Sequence, residues 1–496
     1  MNQIQAALLQ SVRDIEPFSR FILKRPLRPY QLEPARAAIA SVIAHDGDQY
    51  VWRFPRQSGK NETLAHVHAY LLFLFQRVKG ASIIHTAPTY DPQAHTALER
   101  VLEITAGNPF FAALKVSDNV ITLGKAKAVY LSGMERDKPI VGSTASLLLC
   151  KDEAQDLNQR YIEQAFDPMT ANFNAPHIHT GTARHDGTYL ALKKRELDKL
   201  TQRDGKRRVF VINWHDVAAC NPAYGEVVRA TIERKGEHHP MVMTEYENIE
   251  TTRTGRLFDD RRLALVFSDA APATACPNPG MVYCITIDVG GTDLQDQAHD
   301  HDMTVATVHQ VSDTHGLNRF DTVDQLVFSG ENVLDDTPDR RRLFAYIDLW
   351  HPTRIVVDKT GLGVGLASAL IARYNKTKVL DFTFTASTKT ELLNGWLALI
   401  ETGRYHHFAN ESVSSYQFRR QLECCEHEVK GNFIQWGIPA HVSWRNPITL
   451  HGETLHDDHM LSAALIAVIA DSDLQFREMT STPAPRRRTL RSEDED

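Results

Sequence analysis

Short apolar runs alternate with helical patterns along the first half of the chain. The runs that predict strands are residues 50–54, 82–86, 129–132, 146–150, 177–180 and 209–213. The clearest helical pattern covers residues 62–78. Its apolar positions are Leu64, Val67, Leu71, Leu74 and Phe75. Strands separated by helices favour parallel pairing, so we expect a three-layer α/β domain over residues 1–266, with a helical segment at its start.

The pattern breaks at residues 267–280, where FSDAAPATACPNPG contains three prolines and no periodicity, which is typical of a linker. A second α/β domain is expected over residues 281–475. Its predicted strands are 282–288, 304–311, 324–328 and 354–358, and its predicted helices are 363–374 and 460–469. The tail, 476–496, is Pro-rich, then basic, then acidic, and we expect it to be disordered.

Composition narrows the function classes only a little. A chain of 496 residues is too long for one ordinary core, and 42% hydrophobic with 24% charged residues is usual for a globular protein. The net charge of -7 argues only weakly against nucleic-acid binding, because a local basic groove remains compatible with it. The six cysteines form no C-x-x-C pair, which favours reduced thiols in a cytosol. No apolar run is long enough to span a bilayer, so we expect no membrane association.

The stretch RFPRQSGKNETLA, residues 53–65, lies between a predicted strand and a predicted helix. A phosphate-binding loop stands at such a junction, where backbone N–H groups and a lysine can hold phosphates. The candidate ligands are Arg56, Gln57, Ser58, Gly59, Lys60 and Asn61. The loop lacks the usual first glycine, and Asn61 replaces the usual hydroxyl residue. Taken alone, Gly-Lys before a helix is more often a solvated turn.

The run SLLLCKDEAQDL predicts a buried strand that ends in two carboxylates. Asp152 could hold Mg²⁺ through water, and Glu153 could orient and deprotonate an attacking water. An acidic helix cap explains the pair equally well. Lys151 interrupts an otherwise apolar strand.

Three more segments follow the order of a nucleotide-driven motor. Tyr30 and Gln31 could stack on and hydrogen bond to an adenine, although Tyr30 could also pack as a helix staple. HTAPTYDPQA, residues 85–94, follows a strand as a loop that could touch nucleic acid or relay motion. HTGTARHDG, residues 179–187, could sense the γ-phosphate. Each of these three segments is weak evidence for a nucleotide site when taken alone. Together with the Gly-Lys loop and the acidic strand end, they make five segments in the expected order, which is strong evidence.

The second half contains a different constellation of carboxylates. Asp288 and Asp358 each end a predicted strand, and Asp457 and Asp458 open a predicted helix. Such residues can converge on two divalent ions roughly 4 Å apart, as phosphodiester cleavage requires. Carboxylate oxygens suit Mg²⁺ or Mn²⁺. A cap or turn role is the commoner explanation for any one of these aspartates.

A family resemblance connects the two halves. RQSGKNE, APTYDPQA, LLLCKDEAQDL and TGTA resemble the ATPase half of phage terminase large subunits, the DNA-packaging motors. The order Asp…Asp…Asp-Asp, with Thr-Gly-Leu-Gly after Asp358, resembles the RNase H-like nuclease half of the same family. The resemblance includes FTFTASTK, which implies a strand over residues 382–389, and NGWLALIETGR, which implies a helix over residues 394–404. The resemblance implies a RecA-like P-loop ATPase domain with a mainly parallel sheet, followed by an RNase H-like mixed α/β nuclease domain.

The resemblance also implies roles for individual residues. Lys60 would bind the outer phosphates, Asp152 the metal, Glu153 would activate water, and Thr182 would belong to the coupling motif. Arg56 occupies a loop position where the family often carries arginine. In the nuclease half, relatives carry a further aspartate that Asp302 could supply. Between Asp457 and Asp458 as metal ligand, we favour Asp458, one turn before the apolar helix face.

The function implied by the resemblance is ATP-driven movement of double-stranded DNA into a procapsid and cutting of concatemeric viral DNA. It implies ATP with one Mg²⁺ and two Mg²⁺ or Mn²⁺ ions in the nuclease site. The implied partners are double-stranded DNA, a small terminase subunit, a portal protein and, during packaging, further copies of the chain in a ring. The implied location is the cytoplasm of a bacterial host.

Three other functions remain open from the sequence. DVGGTD, which begins at Asp288, is also typical of the phosphate loop of sugar kinases and actin-like ATPases. That hypothesis leaves the motifs of the first half unexplained. A helicase-like ATPase would hydrolyse ATP without cutting DNA. A scaffold with an inactive loop is favoured only by Asn61.

Overall fold

A computed structural model describes residues 10–134, 143–290, 303–329, 337–361, 363–410, 412–445 and 452–474. Asp302 and the predicted disordered tail lie outside the described residues. The chain divides into two compact units. Unit 1 comprises Met1–Leu257 and Glu426–Gly437, and unit 2 comprises Phe258–Cys425 and Ile438–Asp496. The boundary therefore falls earlier than the sequence pattern suggests, and a short returning hairpin belongs to unit 1.

Unit 1 is built on an eight-stranded sheet in the order β3-β4-β5-β2-β6-β7-β1-β8. Its strands are β1 (Gln49–Arg53), β2 (Ser82–Ala87), β3 (Leu114–Ser117), β4 (Val120–Leu123), β5 (Ala126–Ser132), β6 (Leu148–Lys151), β7 (His177–Gly181) and β8 (Val209–Val211). Every pairing from β5 to β8 is parallel. At one edge, β3 pairs antiparallel with β4, and β4 pairs antiparallel with β5. The carboxyl ends of the central strands therefore share one edge of the sheet.

Helices cover both faces of this sheet. They are α1 (Pro29–Ala44), α2 (Lys60–Phe75), α3 (His95–Thr105), α4 (Gln159–Ala165), α5 (Tyr189–Asp204), α6 (Trp214–Cys220), α7 (Pro222–Lys235) and α8 (Pro240–Glu245). Since side chains alternate along a strand, Trp52 packs in one apolar cluster and its neighbour Val51 in another. The expected three-layer α/β domain is confirmed. None of the described helices has the length and apolar character needed to cross a membrane.

The returning hairpin completes unit 1. Its strands, Glu426–Lys430 and Phe433–Gly437, pair antiparallel, and the first also pairs with β9 (Thr254–Arg256). The sequence pattern did not predict these strands. They are short and half exposed, so they lack the apolar runs that mark the central strands.

Unit 2 is built on a six-stranded mixed sheet in the order β14-β13-β10-β11-β12-β15. Its strands are β10 (Val282–Asp288), β11 (Met303–Thr314), β12 (Leu317–Ser329), β13 (Arg354–Asp358), β14 (Val379–Phe382) and β15 (Tyr405–His407). β10, β11 and β12 form an antiparallel meander, and β13 and β14 extend it in parallel from β10. This is the mixed α/β architecture expected for the RNase H-like domain.

The helices of unit 2 are α9 (Asp260–Phe267), α10 (Pro338–Trp350), α11 (Gly363–Tyr374), α12 (Ala386–Glu401), α13 (Val413–Cys424) and α14 (Asp458–Ala464). The prediction of a strand over residues 382–389 is wrong. β14 ends at Phe382, and α12 begins soon after because Thr385 and Thr388 form a capping box. The predicted closing helix over 460–469 is α14 followed by a 3₁₀ turn, Leu465–Ile469.

The charged residue inside β6 has a buried partner network. The Lys151 ammonium donates to Asp167 Oδ1 at 2.5 Å and contacts His177 Nδ1 and Tyr189 Oη at 3.3 Å each. Burial lowers the pKa of Lys151 to about 8, although the carboxylate of Asp167 opposes the shift. Lys151 is thus accommodated in a strand that is otherwise apolar on this face.

Replacing this lysine should change how stability depends on pH. Because the folded pKa lies below the ordinary 10.5, the unfolded chain holds a proton that the folded chain releases between about pH 8 and 10.5. The free energy of unfolding of the wild type should therefore rise relative to Lys151→Met across this window, by on the order of 3 kcal/mol. Urea denaturation at several pH values measures the difference. Lys199→Met, at an exposed lysine on α5, is the control and should follow the wild type.

Candidate functional site

The loop between β1 and α2 turns sharply around two left-handed residues. Gln57 has φ 57° and Gly59 has φ 90°. The Ser58 backbone N–H and hydroxyl both donate to the Pro55 carbonyl. Since α2 begins at Lys60, the free N–H groups of its first turn point back towards the loop. Backbone N–H groups in such a turn can bind an anion.

Tyr30 and Gln31, the predicted adenine contacts, lie against the backbone of this loop. The Tyr30 hydroxyl donates to the Ser58 carbonyl at 2.6 Å, and the Gln31 amide donates to the Gly59 carbonyl at 3.0 Å. The Gln31 amide oxygen also accepts from the Arg28 N–H at 2.8 Å. The side chains that start α1 therefore hold the loop in shape, and an adenine contact by either residue stays a prediction.

An open cavity of about 710 Å³ faces the loop. Residues 56–61 line it, together with Glu153 and Thr182 from the carboxyl ends of β6 and β7. The structure therefore brings together residues that the sequence places far apart. The volume of the cavity is within the range of small-molecule binding pockets.

The Lys60 ammonium joins the loop to the acidic end of β6. It lies 2.8 Å from Asp152 Oδ1 and forms a second, shorter ion pair with Glu153. Burial alone would lower the pKa of Lys60, but the two carboxylates raise it above its ordinary value. The lysine is therefore a permanent cation at this point of the cavity.

Glu153 is held in an unusual backbone conformation. Its φ of 47° is in the left-handed region, which is uncommon for a residue other than glycine. Its Oε2 accepts from the Gln155 amide at 2.6 Å. A Cβ on Gly181 would lie 1.8 Å from Gln155 Oε1, so Gly181 leaves the space that Gln155 occupies. Strain of this kind concentrates at functional sites.

Asn61 presents an unsatisfied acceptor to the cavity. Its Oδ1 is buried and has no hydrogen-bond partner among the residues that the structure describes. A buried acceptor without a partner is unfavourable, and a cation at this position would satisfy it. An amide oxygen is an acceptable Mg²⁺ ligand, so this position fits the metal ion of a nucleotide despite the departure from Ser or Thr.

Several cavity residues were not singled out from the sequence, among them Arg100, Gln155, Arg184 and Glu245. Arg184 donates to Asp156 Oδ1 at 2.6 Å. Burial raises the pKa of Glu245, and nearby Arg56 opposes the shift. Gln155 and Arg184 stand two residues after Glu153 and Thr182, so their spacing was an available signal. Nothing local marks Arg100 or Glu245, because they enter from distant helices.

Unit 2 places its predicted carboxylates at the ends of neighbouring strands. Ile287 of β10 pairs with Val357 of β13, so Asp288 and Asp358 occupy equivalent places at the ends of two parallel strands. Both side chains are buried. Burial raises the pKa of Asp358, and the hydrogen bond from Thr360 opposes the shift. A nearby cation would favour the ionised form.

The helix that carries Asp458 packs on β10 and β11. Ser462, one turn after Asp458, donates to the Thr286 carbonyl of β10 at 3.1 Å and the Val305 carbonyl of β11 at 2.9 Å. Asp458 is 3% exposed, and its Oδ2 accepts from the Met303 N–H at 3.1 Å. Asp457 is more exposed and lies 3.7 Å from the Lys389 ammonium. Asp458 therefore points into the protein beside β10 and β11.

The carboxylates of unit 2 that the structure describes do not form a tight cluster. Among the described residues, the group of three ligand side chains with all ligand atoms within 4.8 Å is His68, His85 and Cys150, in unit 1. Carboxylates that hold two ions about 4 Å apart can be farther from each other than that. A shared pair of ions in unit 2 stays a prediction.

Comparison with known proteins gives matches only among solved structures. No family model and no curated protein matches the chain. The large terminase of bacteriophage HK97 is similar with 12% identity and a TM-score of 0.42, over 92% of this chain and 99% of that one. The large terminase of a thermophilic bacteriophage, in complex with ADP, is similar with 12% identity and a TM-score of 0.44, over 90% of this chain and 100% of that one.

A shorter match covers the nuclease part alone. The large terminase nuclease of thermophilic phage G20c, with bound magnesium, has 16% identity and a TM-score of 0.29, over 42% of this chain and 94% of that one. At such identities the likeness concerns the fold.

Replacing Gly59 should weaken nucleotide binding. An added Cβ would be strained at φ 90° and would lie 2.8 Å from the Gln31 amide nitrogen that holds the loop. A left-handed residue with a side chain costs about 1–2 kcal/mol. We expect Gly59→Ala to lower the affinity for a fluorescent ATP analogue about tenfold. Gly80→Ala, at φ 82° with open space around its Cβ, is the control for strain alone. Equal affinities for the two variants would contradict the role given to the loop.

Proposed function

We propose that the chain is the motor and nuclease of a viral DNA-packaging machine. Unit 1 hydrolyses ATP to move double-stranded DNA into a procapsid, and unit 2 cuts concatemeric DNA with two divalent ions. One observation supports the proposal: each unit brings acidic residues to the carboxyl ends of neighbouring central strands, and in unit 1 these acids pair with a lysine that follows a phosphate-type loop. A single-activity ATPase or kinase would need one such site.

In the ATPase site, each residue has a part that its position supports. The loop N–H groups and Lys60 bind the outer phosphates of ATP. Asp152 and Asn61 hold the Mg²⁺ ion, which supplies charge neutralisation on the phosphates. Glu153 accepts a proton from the attacking water, and the hydrogen bond from Gln155 fixes its carboxylate. Binding requires Lys60 to exchange its contacts with Asp152 and Glu153 for phosphate oxygens.

Thr182 supports a link between hydrolysis and movement. It directly follows β7, the strand between β1 and β6, and it lines the same cavity as Lys60 and Glu153. Arg184, two residues later, is paired with Asp156. We propose that loss of the γ-phosphate changes the contacts of this segment and so moves the surface that carries DNA.

In the nuclease site, Asp288, Asp358 and Asp458 hold the divalent ions. When bound, such ions would supply an activated water and charge stabilisation for the leaving oxygen. Asp457 and, outside the described residues, Asp302 are the further candidate ligands. Because phosphate contacts dominate DNA binding, cutting should weaken with salt and show little sequence preference by itself. Site choice then belongs to a small terminase subunit, and docking to a portal protein.

The assembly follows from the same proposal. A ring of identical chains would surround the DNA during packaging, in the cytoplasm of a bacterial host. Such a ring would supply an arginine from one chain to the ATP site of the next.

Replacing Glu153 should separate ATP binding from ATP hydrolysis. Glu153→Gln keeps the size of the side chain and removes the base, so ATP should still bind while its hydrolysis falls by at least about 100-fold. Phosphate release and binding of a fluorescent ATP analogue measure the two effects. Glu163→Gln, at an exposed position on α4, is the matched control. Hydrolysis at the wild-type rate in Glu153→Gln would refute the assignment of the base.

Replacing Asp358 should abolish DNA cutting and leave ATP hydrolysis intact. Asp358→Asn removes one charged metal ligand without changing side-chain size, so Mg²⁺- or Mn²⁺-dependent cleavage of plasmid DNA should be lost. The matched control is Asp381→Asn, on the neighbouring strand, whose carboxylate is paired with Lys359 at the surface. Loss of both activities together would indicate misfolding, which circular dichroism tests. Undiminished cleavage by a folded Asp358→Asn would overturn the nuclease site.

A further inference from the structure

Three buried side chains with metal-binding atoms meet inside unit 1, away from the carboxylates discussed above. His68 comes from α2, His85 from β2 and Cys150 from β6. Their ligand atoms all lie within 4.8 Å of one another. Each of the three side chains is almost fully buried. Two imidazoles and one thiol in mutual reach are the donor types that Zn²⁺ prefers.

Both ring nitrogens of His68 have a polar partner. His68 Nε2 lies 3.3 Å from Cys150 Sγ, and His68 Nδ1 lies 3.0 Å from the Tyr130 hydroxyl. The hydroxyl can accept from Nδ1–H, which leaves Nε2 as a lone-pair donor. Such a partner on the second nitrogen is what usually orients a metal-bound histidine.

His85 provides an independent observation. Its side chain is 0% exposed, and neither ring nitrogen has a hydrogen-bond partner in the described part of the chain. Its Nε2 is 4.0 Å from Asp152 Oδ2, which is too long for a hydrogen bond. A fully buried imidazole with two unsatisfied nitrogens is costly, and a metal ion would satisfy one of them.

We propose that His68, His85 and Cys150 bind one Zn²⁺ ion inside the ATPase unit. The ion accepts one nitrogen from each imidazole and the sulfur of Cys150, whose thiol proton passes to solvent on binding. The nearby Asp152 carboxylate partly balances the resulting positive charge. Soft sulfur and nitrogen donors distinguish this site from the oxygen site that holds Mg²⁺ with the nucleotide.

The site would have a mechanical role in the motor. It links three elements: α2, which starts at Lys60, β6, which ends beside Asp152, and β2, the strand next to β6 in the sheet. A metal crosslink at this place keeps the distance between the lysine and the acidic strand end constant. It would therefore help to keep Lys60 beside Asp152, as the nucleotide cavity requires.

Metal content of the full chain tests the proposal. The untagged protein, purified without chelator and dialysed against metal-free buffer, should retain about one zinc ion per chain by elemental analysis. Cys150→Ser and His85→Gln should each lose it. The matched controls are Cys284→Ser, a buried thiol in unit 2, and His66→Gln, whose ring nitrogens contact the carbonyls of Glu62 and Arg25 at 2.8 Å each. Both controls should retain the ion.

A second measurement avoids dependence on the folding of variants. Wild-type protein refolded with Co²⁺ in place of Zn²⁺ should show a thiolate-to-cobalt charge-transfer band, which a site of oxygen ligands alone cannot give. Absence of that band overturns the proposal. So does wild-type protein without stoichiometric zinc, or a Cys150→Ser variant that retains as much zinc as the wild type.

Discussion

The ion pairs of the largely buried Lys60 ammonium with two carboxylates are the interaction on which the phosphate-type site of unit 1 depends. A buried cation is strongly unfavourable unless it is paired, and here Asp152 and Glu153 both compensate it. The lysine starts α2 and the carboxylates end β6, so one contact joins a loop, a helix and a strand. The same charges give the cavity its chemistry, since phosphates can replace the carboxylates as partners of the lysine.

Both units place acidic residues at the carboxyl ends of parallel strands. Parallel strands bring their carboxyl ends to a single edge, where acidic residues collect without any local sequence relation. In unit 1 a lysine and a turn of N–H groups complement the acids, which suits a bound anion with its metal. In unit 2 Asp288 and Asp358 end two neighbouring parallel strands, Asp458 is buried beside the start of β11, and burial raises the pKa of Asp358. A nearby cation would oppose that shift and favour the ionised form of Asp358.

The strand β6 shows how closely the core and the site are connected. Cys150 faces the His68 side of the sheet, and Lys151 faces the Asp167 side. The other two residues of β6, Leu148 and Leu149, are apolar. Cys150 and Lys151 each contact side chains from other elements. The segment that places Asp152 and Glu153 is therefore fixed by specific polar contacts on both faces, and not by apolar packing alone.

The sequence by itself determined the α/β class, the central strands of both sheets and the acidic strand ends, because these depend on local periodicity and on residue type. It also predicted the phosphate-type loop, since the loop is continuous in the chain. Tertiary structure alone decided that Gln31 holds Gly59, that Glu245 and Arg100 enter the cavity, and that Asp288 and Asp358 are neighbours across a parallel pair. It also replaced the strand expected over residues 382–389 with the start of α12. These features depend on segments that are distant in sequence, or on capping that outweighs β propensity, and no local pattern specifies either.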